Sequence, residues 1–464
     1  MACPDGRVVE TILWLGFVAC SGAVVTVRPE PVVAADPESP DLVLVLMQHL
    51  RADADGRPGA EESVLTGLGR APTVRFRSAY AQSPDAFASL GSLFTGHYTS
   101  AVPLCGLEPS ILASSPPWCA ALPEERRTLA EVLSLYGYHT ALFSSGTEGV
   151  AALVARGHAH VEEVPSPAED PVGTDWSAMH DAVDGWWRTA PSPRLLTIVV
   201  SDLALTRRRR TMQEFHASGA LDPAAGGAAA GAADAVYSRV AVDAGRGIAV
   251  ALGTIAADAW VFLAGVNGIS LVEFTGFLAP TPPFQSRLVL ERVVHVPLVV
   301  YAPGAGGPPR SSGEPVELRD LFPTLARLGG ATVPAGVAGR DLLALPAEGD
   351  PDAVAYTELG DMIGLRRGDY LLTMRVYSHH GCALDPGLTD SLRELRLDPT
   401  HFALHDVRRD PMQTNNLLRW HPDLATDLRA RMYGIRTTLA APPDTATTPE
   451  RVWDYRLSAQ QGYW

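Results

Sequence analysis

The 464-residue chain contains no lysine; all 37 of its basic residues are arginine. With 42 glycines, 38 prolines and abundant alanine, this reads as the bias of a GC-rich genome. It has a chemical consequence all the same: no step can use a lysine amine as nucleophile, base or counter-ion. Basic charge is also outnumbered, by 52 acidic residues, for a net charge of -15. Without a basic surface to displace counterions from phosphate, nucleic acid is excluded as a partner. Long apolar runs are nearly absent. The only one is Ile12 to Val27, and no other is long enough to span a membrane. Cysteine is scarce, with five residues. Cys105 and Cys119 lie 14 positions apart in a Pro-rich loop, where an oxidising compartment would join them. Cys382 reads as a small buried hydrophobe.

The apolar run follows Arg7 and precedes a Pro-rich acidic linker, "RPEPVVAADPESP" (Arg28 to Pro40). It suits the hydrophobic part of a signal peptide better than a full membrane span. "FVAC" (Phe17 to Cys20) resembles a bacterial lipoprotein cleavage box with Phe17 in place of the usual leucine. Acylation at Cys20, ordinary cleavage and an uncleaved anchor all remain open. Each implies an exported protein of the periplasm, the cell envelope or the medium, with the N-terminus as its membrane anchor where one is kept.

Beyond the linker the pattern is α/β. "DLVLVLM" (Asp41 to Met47), "RLLTIVVSD", "AWVFLAGV" and "VHVPLVVYAPG" are continuous apolar runs, as expected of strands covered on both faces. "TLAEVLSLYGYHTALFSS" reads as a helix stopped at Gly137 and then a strand. "VELRDLFPTLARLGG" reads as an amphipathic helix closed by glycine. The alternation predicts a doubly wound, mostly parallel sheet flanked by helices over 41–345. After "GRDLLALP" the texture changes to short antiparallel strands and a closing helix, "PDLATDLRARMYGI". This predicts a smaller C-terminal α+β subdomain over 346–440, then a tail over 441–464, with the export segment and linker over 1–40. The low-complexity stretch "ASGALDPAAGGAAAGAADAVYS" (Ala217 to Ser238) reads as a surface loop.

"AYAQSPDAFASLGSLFTGHY" (Ala79 to Tyr98) combines a Ser83-Pro84 turn with a helix that ends at Gly96. Such a frame presents a nucleophile at a helix start, yet the position holds Ala86. Together with "RTLAEVLSLYGYHTALF", "VVHVPLVVYAPG", "VELRDLFPTLARLGGATVPAGVAGRDLL" and "FALHDVRRDPMQTNNLLRWHPDLATDLRARM", this order of phrases resembles the sulfatase family of the alkaline phosphatase superfamily over about 41–436. The resemblance implies that fold; activity is a separate question.

The family's chemistry uses a divalent cation such as calcium and a formylglycine, or in relatives a threonine, as nucleophile. The resemblance aligns the first aspartate pair with Gln48 and His49, the nucleophile with Ala86, and the second pair, usually Asp-His or Asp-Asn, with Val266 and Asn267. The maturation motif's proline and arginine fall on Ala88 and Leu90, while Ser89 is kept. Its lysine and histidine positions fall in "SSGTEG", "LALTRRRR" and "PPFQSRL", which supply neither residue. Neutral ligands do not repay the dehydration of a hard cation, so no cofactor is expected.

Gln48, His49 and Asn267 form a weak transition-metal site or, as the favoured reading, hydrogen-bond one another and nearby backbone. Asp85 or Ser83 could act through a one-residue register shift. "SHHGCALD" (His379, His380, Cys382) has metal-capable side chains but reads as a loop or sheet edge, and Arg207 to Arg210 as a solvated loop. The resulting expectation is an inactive sulfatase-like protein that binds or scaffolds an unknown ligand or partner protein. The alternatives are an ester hydrolase with a non-standard site and a regulatory partner of an active paralogue.

Overall fold

A computed structural model describes residues 38–55, 72–102, 122–146, 153–167, 173–204, 213, 217, 227–269, 289–305, 309–346, 349–359, 362–375 and 402–440. All belong to one compact unit, Val32–Trp464. Nine strands build the main sheet: β1 (Leu42–Met47), β2 (Val74–Tyr80), β3 (His139–Ser145), β4 (His160–Glu163), β5 (Arg194–Val200), β6 (Trp260–Gly265), β7 (His295–Tyr301), β8 (Arg310–Ser312) and β9 (Val316–Glu317). The order is β4-β3-β5-β1-β6-β7-β2-β8, and β9 also pairs with β2. Every pairing is parallel except those of β7, which runs against β6 and β2. The sheet is thus mixed and mostly parallel, as the buried apolar runs imply.

Alternation along β1 explains why all six of its residues are apolar. Leu42, Leu44 and Leu46 face a core shared with the helices Ala86–Thr95, Leu129–Leu135 and Leu321–Leu328. Val43, Val45 and Met47 face the opposite core, shared with the helices Trp176–Thr189 and Gly227–Leu252. A strand between two helical layers has no wet face and so no polar position.

The helix Gly227–Leu252 corrects one expectation. Its first part lies in the low-complexity stretch read as a loop. The chain from Gly227 onward is helical, and Ala233, Tyr237, Val240, Ala241, Ala244 and Ile248 are buried against the sheet. Alanine is the best helix former, and a run of it hides the contrast by which a 3.6-residue period is recognised. Small side chains also let the helix lie close to its neighbour. A Cβ on Gly247 would stand 2.2 Å from Trp176.

A second sheet is antiparallel and four-stranded: β10 (Ala355–Leu359), β11 (Met362–Arg367), β12 (Tyr370–Arg375) and β13 (Phe402–Asp406), in sequence order. Its apolar face packs on the closing helix Pro422–Ala440 through Ala425, Leu428 and Met432. Among the described residues no helix is long and apolar enough to cross a membrane.

Candidate functional site

In an open α/β sheet, ligands bind beyond the carboxyl ends of the strands. Here Met47, the last residue of β1, lies opposite Val200 on one side and Gly265 on the other. The ladder continues one step further: Gln48 N donates to Val200 O at 3.0 Å, and Val266 N to Met47 O at 2.8 Å. Gln48-His49 and Val266-Asn267 therefore leave the sheet side by side. Gly265 permits the close crossing, since a Cβ there would meet Leu50 O at 2.4 Å.

His49 takes a left-handed backbone, φ 62°, which costs a non-glycine residue about 1–2 kcal/mol. Three bonds hold it there. Its N–H donates to Asn267 Oδ1 at 3.0 Å, its imidazole Nδ1 lies 3.4 Å from Asn267 Nδ2, and its carbonyl accepts from Tyr237 Oη at 2.9 Å. Asn267 is fully buried, and its Nδ2 also donates to Pro84 O at 2.9 Å. One amide thus ties together the loops after β1, β2 and β6.

Tyr237 Oη accepts from Arg51 N at 2.7 Å, and the Arg51 guanidinium pairs with Asp234 at 2.9 Å and with Asp53. Burial works against the Arg51 charge, but Asp53, Tyr237 and Asp234 outweigh it and raise its pKa. Burial pushes the Tyr237 phenol up as well, so it stays a hydroxyl able to donate and accept. Tyr237 and Asp234 are not legible as site residues in the sequence, because runs of alanine and glycine hide the helix that carries them. Their i,i+3 spacing was the available signal.

Ala86 is the first residue of the helix Ala86–Thr95. Asp85 is its N-cap, with Oδ1 accepting from Ala88 N at 2.9 Å, and Asp85 N in turn donates to Ser83 Oγ at 3.2 Å. Ser89, the retained residue of the motif, donates to Val266 O at 2.7 Å. The helix closes at Gly96, φ 70°. The two side chains available for a shifted register are thus engaged in building the turn. Asp202, which follows β5 at the same edge, is a buried carboxylate that sequence reasoning passed over; it accepts from Thr174 Oγ1 at 2.6 Å.

The five aligned positions, Gln48, His49, Ala86, Val266 and Asn267, thus meet at one edge. Their donor set is an imidazole, two amides and two apolar side chains. That set does not fit a hard divalent cation, which needs carboxylate oxygens. Among the described residues no three His, Cys, Asp or Glu side chains are grouped to hold a metal ion. Gln48 Nε2 is buried without a hydrogen-bond partner. Cys20, Cys105, Cys119, Arg207 to Arg210 and the His379-His380 stretch lie outside the described residues.

No protein-family model matches the chain, and no curated protein does. Solved structures do. A Bacteroides fragilis protein assigned as a sulfatase superposes with a TM-score of 0.62 at 14% identity, covering 87% of this chain and 97% of that one. A protein solved with its substrate D-glucosamine-2-N,6-O-disulfate gives 0.61 at 12% identity, covering 87% and 98%. A Bacteroides thetaiotaomicron protein, solved in work on glycosaminoglycan metabolism, gives 0.59 at 16%, covering 87% and 97%. At such identities the likeness concerns fold. The chain has the alkaline phosphatase-like fold of the sulfatases, with a mostly parallel main sheet and a separate small antiparallel sheet.

Proposed function

We propose that this chain is an exported, catalytically inactive sulfatase-fold protein that acts by binding or scaffolding. One observation carries the reading: His49, at an aligned aspartate position, is hydrogen-bonded to Asn267, Val266 stands at another, and Ala86 offers only a methyl group where the nucleophile would stand. Hydrolysis of a sulfate or phosphate ester needs a nucleophile and a group that neutralises the ester oxygens. Neither is supplied by the aligned positions. Losing both together leaves little to stabilise the transition state.

Export rests on the N-terminal apolar run and its cleavage-box-like "FVAC". The N-terminus found on the mature protein tests it.

Purified protein, dialysed and analysed for metals, is expected to hold no stoichiometric calcium, magnesium or zinc and to leave aryl sulfate and aryl phosphate intact. One divalent ion held per chain, or hydrolysis abolished by changing Asp85 or Ser89, would overturn the reading in favour of a hydrolase with a non-standard site.

A further inference from the structure

The small sheet meets the main one through a buried polar joint. Glu317, in β9, accepts from Tyr356 N of β10 at 2.7 Å and pairs with Arg319 at 2.6 Å; Tyr98 Oη lies 3.2 Å from both of its oxygens. Glu358 of β10 accepts from Thr99 Oγ1 at 2.9 Å, Ser100 N at 2.6 Å and Tyr356 Oη at 3.0 Å. Beside them Asp320 accepts from Arg340 N at 2.8 Å and Glu317 N at 3.0 Å. Glu314 pairs with Arg340 at 3.3 Å.

The charges do not balance. The carboxylates of Glu314, Glu317, Asp320 and Glu358 are all buried. Among the described residues the cations paired with them are Arg319, Arg340 at 3.8 Å from Asp320, and Arg436 at 3.8 Å from Glu358. Arg340 and Arg436 are only partly buried, so their charge is screened by water. His97, near Arg126 and Arg319, adds no positive charge, because burial and then those two arginines push its pKa down to about 4. An uncompensated buried charge is costly enough that such a group takes a proton instead.

We propose that the joint takes up one proton at Asp320 and that the small sheet is therefore held more firmly at mildly acid pH than at neutral pH. Asp320 is the most enclosed of the four, with no exposed side-chain surface. Burial and then Glu317 push it up to about 6, against Arg319 and the two backbone N–H groups. The sign follows from its ordinary value of 3.8. The folded chain binds the proton more tightly than the unfolded one. The contribution is full below the unfolded pKa and is lost as pH rises through about 6.

The joint also reaches the loop that leads to Ala86. Gln82 accepts from Arg319 N with its side chain at 3.0 Å and from Glu358 N with its carbonyl at 2.9 Å. The Glu358 amide is therefore a local reporter. Its hydrogen-exchange protection, corrected for the intrinsic pH dependence, should fall by up to about tenfold between pH 5 and pH 7 in the wild type. In Asp320→Asn it should stay level. Equal slopes in the two proteins would overturn the proposal. Should Asp320→Asn fail to fold, infrared spectroscopy of the wild type and Arg340→Gln decides. A protonated-carboxyl band should titrate between those pH values, with its midpoint raised in Arg340→Gln because a nearby cation is gone. No such band, or an unmoved midpoint, would equally refute it.

Discussion

Asn267 grips His49 at backbone and side chain together: Oδ1 accepts the His49 N–H at 3.0 Å, and Nδ2 lies 3.4 Å from the imidazole Nδ1. The same Nδ2 donates to Pro84 O at 2.9 Å. Cutting Asn267 to alanine removes the grip and strands buried backbone groups on two loops. Asn267→Ala is expected to lower stability by about 3 kcal/mol, read from the midpoint of urea denaturation.

The left-handed backbone at His49 gives an opposed pair of outcomes. His49→Gly relieves the strain and should change stability by no more than about 1 kcal/mol, because the backbone bonds to Asn267 and Tyr237 survive. His49→Val places a β-branched residue at φ 62° and should cost about 2 kcal/mol or more. Equal effects of the two variants in thermal melts would show that His49 matters through its imidazole and not its backbone.

Restoring a nucleophile alone should not restore turnover. Ala86→Thr provides a hydroxyl at the helix start but no cation to neutralise the ester, a deficit of several kcal/mol in the barrier. Ala86→Cys meets Ala88 and Leu90 where the maturation motif has proline and arginine. No smaller set than Ala86→Thr with Gln48→Asp, His49→Asp and Val266→Asp is expected to bind a divalent ion, as calorimetry would show. Hydrolysis of aryl sulfate by that variant should stay slow.

Close packing of the long helix sets a further expectation. A Cβ at Gly247 would lie 2.2 Å from a ring atom of Trp176. Gly247→Ala should therefore lower stability by about 1–3 kcal/mol despite alanine's better helix propensity. Gly231→Ala, with nothing within 4 Å, should instead hold or raise it, so paired denaturation curves separate packing from propensity.

Cys105 and Cys119 are expected to be joined in exported material. Closing a loop of that size contributes about 3 kcal/mol. Mass spectrometry of unreduced peptides should find the cross-linked pair, and two free thiols would count against both the disulfide and export.

Several of the main elements could be read from the chain alone. β1, β5, β6 and β7 are largely apolar runs of strand length, as a sheet covered on both faces requires. The helix Leu129–Leu135 announces itself through Thr128 and Glu131, which form a capping box in the folded chain. The helix Gly227–Leu252 was not legible, since runs of alanine and glycine carry no hydrophobic contrast. With it went Tyr237 and Asp234, the residues that anchor the loop after β1.

What the sequence determined by itself is local: which segments are apolar enough to be buried, where turns and caps fall, and which side chains are absent, among them every lysine. That His49 bonds Asn267 across 218 positions of chain, and that Tyr356 bonds both Glu317 and Glu358, was decided by the tertiary structure alone. Hydrogen bonds between side chains on separate loops depend on strand register and loop path. Those are set only when both faces of the sheet find their helices.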